Sequence, residues 1–160
     1  MDFDILDLRG AAGKEYWVHL RVGDRLLYAD MENQERPCRV LVASIADPEV
    51  EEALKAVTRS GRLYRSVETA LGEANRQQRK ALEARLEAIE RESEKALTRF
   101  LTTAIRGWEN IERGGKPLPF SQEALADLAE PKAPLFRLAA TIAEDAASAQ
   151  DPFSEPAPAS

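Results

Sequence analysis

The sequence is poor in the side chains that most catalytic and metal sites need. It has one cysteine, Cys38, and one histidine, His19. A lone cysteine excludes an intramolecular disulfide, and this pair is too small a donor set for a structural zinc site. Cys38 opens an apolar, strand-like run and reads as a small buried hydrophobe. His19 sits in an alternating run, on the side expected to face solvent. Aromatic residues are only 6% of the chain, so the core must be built mainly from Leu, Ala, Ile and Val. No apolar run approaches the ~18 residues of a membrane span. The N-terminus, Met-Asp-Phe-Asp, has neither the basic region nor the apolar stretch of a secretory signal. These absences predict a protein that stays in the cytoplasm and touches no membrane.

Positive charge is also in deficit. Twenty-two Lys and Arg face 28 Asp and Glu, a net charge of −6. A general nucleic-acid binder needs a net basic surface for phosphate contacts, so none is expected. Neither a dinucleotide fingerprint nor a phosphate loop is present. Gly114-Gly115-Lys116-Pro117 is only superficially like one, because Pro117 removes an amide donor. The carboxylates fall at helix-surface spacings, and nothing marks one in the apolar setting that acid–base catalysis requires. The expectation is a non-enzymatic protein with no cofactor and no metal.

What the chain does carry is pattern. Residues 3–8 form a short strand candidate. From Glu15 to Val22, residues Tyr16, Val18, Leu20 and Val22 alternate with Trp17, His19 and Arg21, which predicts a strand. Gly23-Asp24 then predicts a hairpin turn, with glycine at the first central position, leading into a strand over 25–30. A third strand is expected over 39–45. Asp47-Pro48-Glu49 opens a helix: Asp47 caps it, Pro48 fits its first turn, and Glu49 and Glu51 suit its positive end. Gly61 is expected to stop it.

From about Ser66 to Arg106 there is no proline. Leu82, Leu86, Ile89, Ser93, Ala96, Phe100 and Ala104 step by threes and fours, a near-heptad seam. This predicts one long central helix of roughly 60 Å, too long for a small β-unit to cover. The alternative is a helical hairpin broken near Gly72. Self-association is expected through Leu82, Leu86, Ile89 and Phe100, unless an intramolecular partner such as 135–147 covers them. Ser121 caps a helix over 122–129, and another helix is expected over 135–147. The fold class is therefore α+β, about half helical. A β-rich N-terminal unit spans 1–45 and a helical region 46–148. An acidic Pro/Ala tail over 149–160 is expected to be disordered.

The stretch between these helices stands apart. Gly107-Trp108 ends the predicted helical region. Gly114-Gly115-Lys116 makes a turn, and Pro117-Leu118-Pro119-Phe120-Ser121 leads into the capped helix. Trp108 and Phe120 should pack together while Pro117 and Pro119 hold the link extended. This corner resembles the tail assembly chaperones of long-tailed phages with non-contractile tails. Their pattern is a helix ending in Gly-Trp, a glycine turn, then Pro-Leu/Ile-Pro-Phe-Ser opening a helix. Asp47-Pro48-Glu49-Val50 matches a helix start common in that family, and the resemblance is strongest over 107–128. The central charged helix is long for the family, and the tail lies outside its pattern.

The resemblance implies a non-enzymatic role in the host cytoplasm. Such chaperones bind the tape measure protein, a very long helical chain, keep it soluble and help tail tube subunits assemble around it. Trp108, Leu118, Pro119, Phe120, Leu125 and Leu128 are the candidate client-binding or structural residues. The tape measure protein is then the expected partner, with the tail tube protein a second candidate. The competing readings are a tail-completion or connector protein of the virion and a coiled-coil interaction protein unrelated to phage.

Overall fold

The computed structural model describes residues 14–150. The strand candidate at 3–8 and most of the tail lie outside the described residues. As expected, a small antiparallel β-region precedes a mainly helical part, and 57% of the structure is helical.

The β-region is not a simple hairpin. Its strands are β1 (Glu15–His19), β2 (Arg21–Val22), β3 (Arg25–Leu26), β4 (Tyr28–Asp30), β5 (Glu35–Pro37) and β6 (Arg39–Ala43). The predicted turn is present: Gly23 has φ +59° and Val22 pairs with Arg25. The pairing then splits. β1 pairs with β6, β2 with β3, and β4 with β5, all antiparallel. Leu20, Leu27 and Cys38 lie where the three arms meet. Leu20 N–H donates to the Cys38 carbonyl at 2.8 Å, Cys38 N–H to Leu27 at 3.0 Å, and Leu27 N–H to Leu20 at 2.9 Å. This closed ring satisfies every backbone donor at a point where each strand changes partner.

After β6, Ser44 turns the chain, its Oγ accepting from Ala46 N–H at 3.0 Å. Asp47 caps α1 (Pro48–Glu73), accepting from Glu49 N–H at 3.1 Å. The expected stop at Gly61 does not occur. Ala53, Val57, Ser60, Tyr64, Val67 and Leu71 are buried or half-buried at heptad-like spacing, and that packing outweighs glycine's cost of about 1 kcal/mol. The predicted single helix over 66–106 is also corrected. The chain turns at Ala74 and Asn75 into α2 (Arg76–Ala104). Asn75 and Gln78 form a reciprocal capping box, with distances of 2.9 and 3.3 Å. That box overrides the helix propensity of its charged surroundings. α2 remains a long central helix of about 43 Å, packed along α1 as a two-helix arm.

The helix ends at Ala104, not near Trp108. Ile105–Glu109 is β7, pairing antiparallel with β6. The sheet order is therefore β1-β6-β7, and its third strand comes from beyond residue 45. The Gly-rich turn is a small hairpin, β8 (Glu112–Arg113) with β9 (Lys116–Pro117). Gly114 and Gly115 both have positive φ, +60° and +77°, as this tight turn demands. Ser121 caps α3 (Gln122–Ala129), accepting from Ala124 N–H at 3.0 Å. The helix expected over 135–147 is two pieces, α4 (Pro134–Arg137) and α5 (Ala139–Gln150), separated at Leu138.

The core lies between the sheet and the helices at the base of the arm. Val18, Val40, Val42, Val50, Phe100, Leu101, Ile105, Leu125 and Ile142 are all buried there. Arg21 ties the β-region to α5, bonding Asp145 at 2.7 Å and Glu144 at 3.2 Å. Among the described residues, no helix is long and apolar enough to cross a membrane.

Candidate functional site

The corner picked out in the sequence is a packed structural unit. Trp108 on β7 and Phe120 meet edge to face, with centroids 4.9 Å apart at 83°. The Trp108 indole donates to the Leu118 carbonyl at 2.7 Å. Leu118 N–H donates to the Ile111 carbonyl at 2.8 Å, closing the base of the β8–β9 hairpin. Pro119 is exposed on the link between these contacts.

Beside this corner lies an apolar cleft of about 440 Å³. Its floor is the triple junction itself: Leu20, Leu27 and Cys38. Ile111 and Leu118 form one wall, and Leu128, Pro134, Leu135 and Leu138 the other. Charges of both signs stand at the rim, Arg113 against Glu112 and Asp127. Arg36 pairs with Glu112 at 3.2 Å.

The six corner candidates therefore separate. Leu118 and Leu128 are half-buried and line the cleft. Trp108, Pro119 and Phe120 hold its hairpin wall. Leu125 does not belong to the surface: it is 0% exposed, in the core. It lies three positions before Leu128 in α3, but the helix is rotated so that only Leu128 reaches the cleft.

The seam residues separate too. Phe100 is fully buried in the domain core. Leu82, Leu86 and Ile89 are half-buried on α2 in the arm. The element packed along them is α1, not the helix at 135–147. Farther along the same interface, Tyr64 of α1 lies near Glu90 of α2, and its hydroxyl is pushed up chiefly by burial.

Sequence reasoning missed Leu20, Leu27, Leu135 and Leu138 as cleft residues. The first two look like ordinary strand positions, because only the change of pairing partner turns them toward one point. Cys38 was expected to be buried, and it is half-buried. Its thiol donates to the Asn110 carbonyl at 3.2 Å, and Asn110 Nδ2 donates to the Pro37 carbonyl at 2.9 Å. Burial, reinforced by Glu112 and opposed by Arg36, pushes the thiol above its ordinary range. It is therefore held protonated near neutral pH and is a poor nucleophile. His19 is not free on the solvent face. Its Nε2 lies 2.7 Å from the Leu27 carbonyl, and its ring meets Tyr28 edge to face.

What this arrangement offers chemically is an apolar, half-open recess with a mixed-charge rim. Among the described residues no group of His, Cys, Asp and Glu could hold a metal ion. No family model, curated protein or solved structure matches this chain.

Proposed function

We propose that this protein is a non-enzymatic tail assembly chaperone, and that its junction cleft receives apolar side chains from helices of the tape measure protein. The observation that carries this reading is the coincidence of two features. The chaperone-like corner, 107–128, supplies one wall of the cleft (Ile111 and Leu118) and Leu128 of the other, and the cleft is lined mainly by Leu, Ile and Pro over a Leu-Leu-Cys floor. A recess of this size accommodates large side chains from one face of an amphipathic helix. The rim's opposite charges suit polar flanks without demanding one sequence. The net charge of −6 favours solubility while a hydrophobic client is held.

The test is co-expression with the tape measure protein that this reading expects in a neighbouring gene. Leu118→Ser with Leu128→Ser should lower the melting temperature by no more than a few degrees and reduce co-purification at least about tenfold, a loss of roughly 1.4 kcal/mol. Undiminished co-purification would remove the cleft from the reading. Mass spectrometry of purified particles should lack the protein. Its stoichiometric presence would instead favour a structural tail component.

A further inference from the structure

A second apolar surface is separate from the junction cleft. A groove of about 880 Å³ runs along the outer side of α1. Ile45, Leu54 and Leu63 supply its apolar surface, Lys55, Arg59 and Arg62 its positive charge, and Glu51 one carboxylate. Leu63 leaves 43% of its surface exposed. Lys55 is engaged by Glu51 at 2.8 Å. Arg59 and Arg62 make no ion pair with any described residue. An acidic chain that leaves two arginines beside an open leucine has a place for an acidic, apolar segment.

We propose that this groove is the docking site for residues 2–8 of the same chain, Asp-Phe-Asp-Ile-Leu-Asp-Leu. Three observations favour this occupant. The first is position. The Lys14 carbonyl accepts from Ser44 N–H at 3.0 Å, so the chain enters the described structure beside Ile45, at the base of the groove. The second is reach. Residues 9–13 can span up to roughly 18 Å, and the seven residues 2–8 about 23 Å more. The groove side of α1 from Glu51 to Leu63 is about 18 Å long. The third is complementarity. Phe3, Ile5, Leu6 and Leu8 match the apolar lining, while the carboxylates of Asp2, Asp4 and Asp7 answer Arg59 and Arg62, Lys55 being already engaged by Glu51. The edge of β1 is the rival place, but backbone pairing there would leave the match of acids to arginines unexplained. The proposal rests on the groove and stands apart from the client-binding reading of the junction cleft.

The test places a photoreactive benzoylphenylalanine at position 3 of the full chain. Irradiation should link residue 3 to the peptide 51–63 of the same molecule, mapped by mass spectrometry. Linkage to β1, to any other segment or to a second copy, or no linkage, would overturn the proposal. Arg59→Glu with Arg62→Glu should cut the linkage yield at least about fivefold, with the melting curve unchanged. A yield that does not respond to this reversal would show that the acid–arginine match plays no part and overturn the assignment.

Discussion

The indole nitrogen of Trp108 and the carbonyl of Leu118 are joined by a 2.7 Å hydrogen bond across the β8–β9 hairpin. The bond ties the central sheet to the wall of the cleft. Trp108→Phe keeps the ring contact with Phe120 and deletes only the donor. It should cost about 1–2 kcal/mol, read as a lower urea midpoint with an unchanged slope. No loss of stability would mean that the carbonyl finds water without penalty.

Leu125 and Leu128, three positions apart on α3, should respond differently. Leu125 is fully buried, so Leu125→Ala should destabilise by about 2–5 kcal/mol through the cavity it leaves. Leu128→Ser, at the half-open cleft wall, should cost no more than about 1 kcal/mol. Chemical denaturation of both variants decides it, and equal losses would place Leu128 in the core.

Two weak acids, a thiol and a phenol, hold their protons more tightly in the folded chain than in the unfolded one. Burial raises the Cys38 thiol, with Glu112 adding to the effect. Burial also raises the Tyr64 hydroxyl, with Glu90 and Glu68 adding. A raised folded value means that the stabilising contribution is complete below the unfolded value and is lost as pH climbs through the folded one. The melting temperature should therefore begin to fall above about pH 9, and Tyr64→Phe should flatten part of that fall. A profile level to pH 11, or one unaltered in Tyr64→Phe, would contradict these placements.

Gly61 and Gly72 sit inside α1, where an added Cβ meets nothing within 4 Å. Gly61→Ala and Gly72→Ala should each stabilise by about 0.5–1 kcal/mol, because alanine loses less backbone freedom in a helix. Thermal melts of the single and double variants test this. A loss of stability at Gly61 would indicate closer approach of α2 than the backbone shows.

Signals confined to a few neighbouring residues were legible in the sequence. The Asp47 and Ser121 caps, the Gly23 turn and the Trp108–Phe120 contact each depend on side chains close along the chain. The helical seam was legible as a stripe, but a stripe does not name its partner. The spacing of Leu82, Leu86 and Ile89 is the same whether α1 or another molecule covers it. Gly61 misled because glycine ends a helix only when the following chain has somewhere better to go, and here α1 continues along α2. Ile105–Glu109 was hidden because Ile-Arg-Gly-Trp-Glu follows a helical run without a breaker. Only the open edge of β6 makes it a strand. The triple junction was beyond reach, since it exists only as the meeting of three pairings.

β6 and β7 are antiparallel neighbours, although everything from Ser44 to Ala104 lies between them. The arm is thus an insertion into a β-hairpin, and it folds back so that its own two ends return together. Once its helices zip, the entropy of closing β6 onto β7 is that of a short connection, although the contact order counts a long one. Adding or removing matched heptads at the Ala74–Asn75 tip would change the arm's reach while leaving the sheet register untouched. The arm's length is therefore free to vary independently of the sheet.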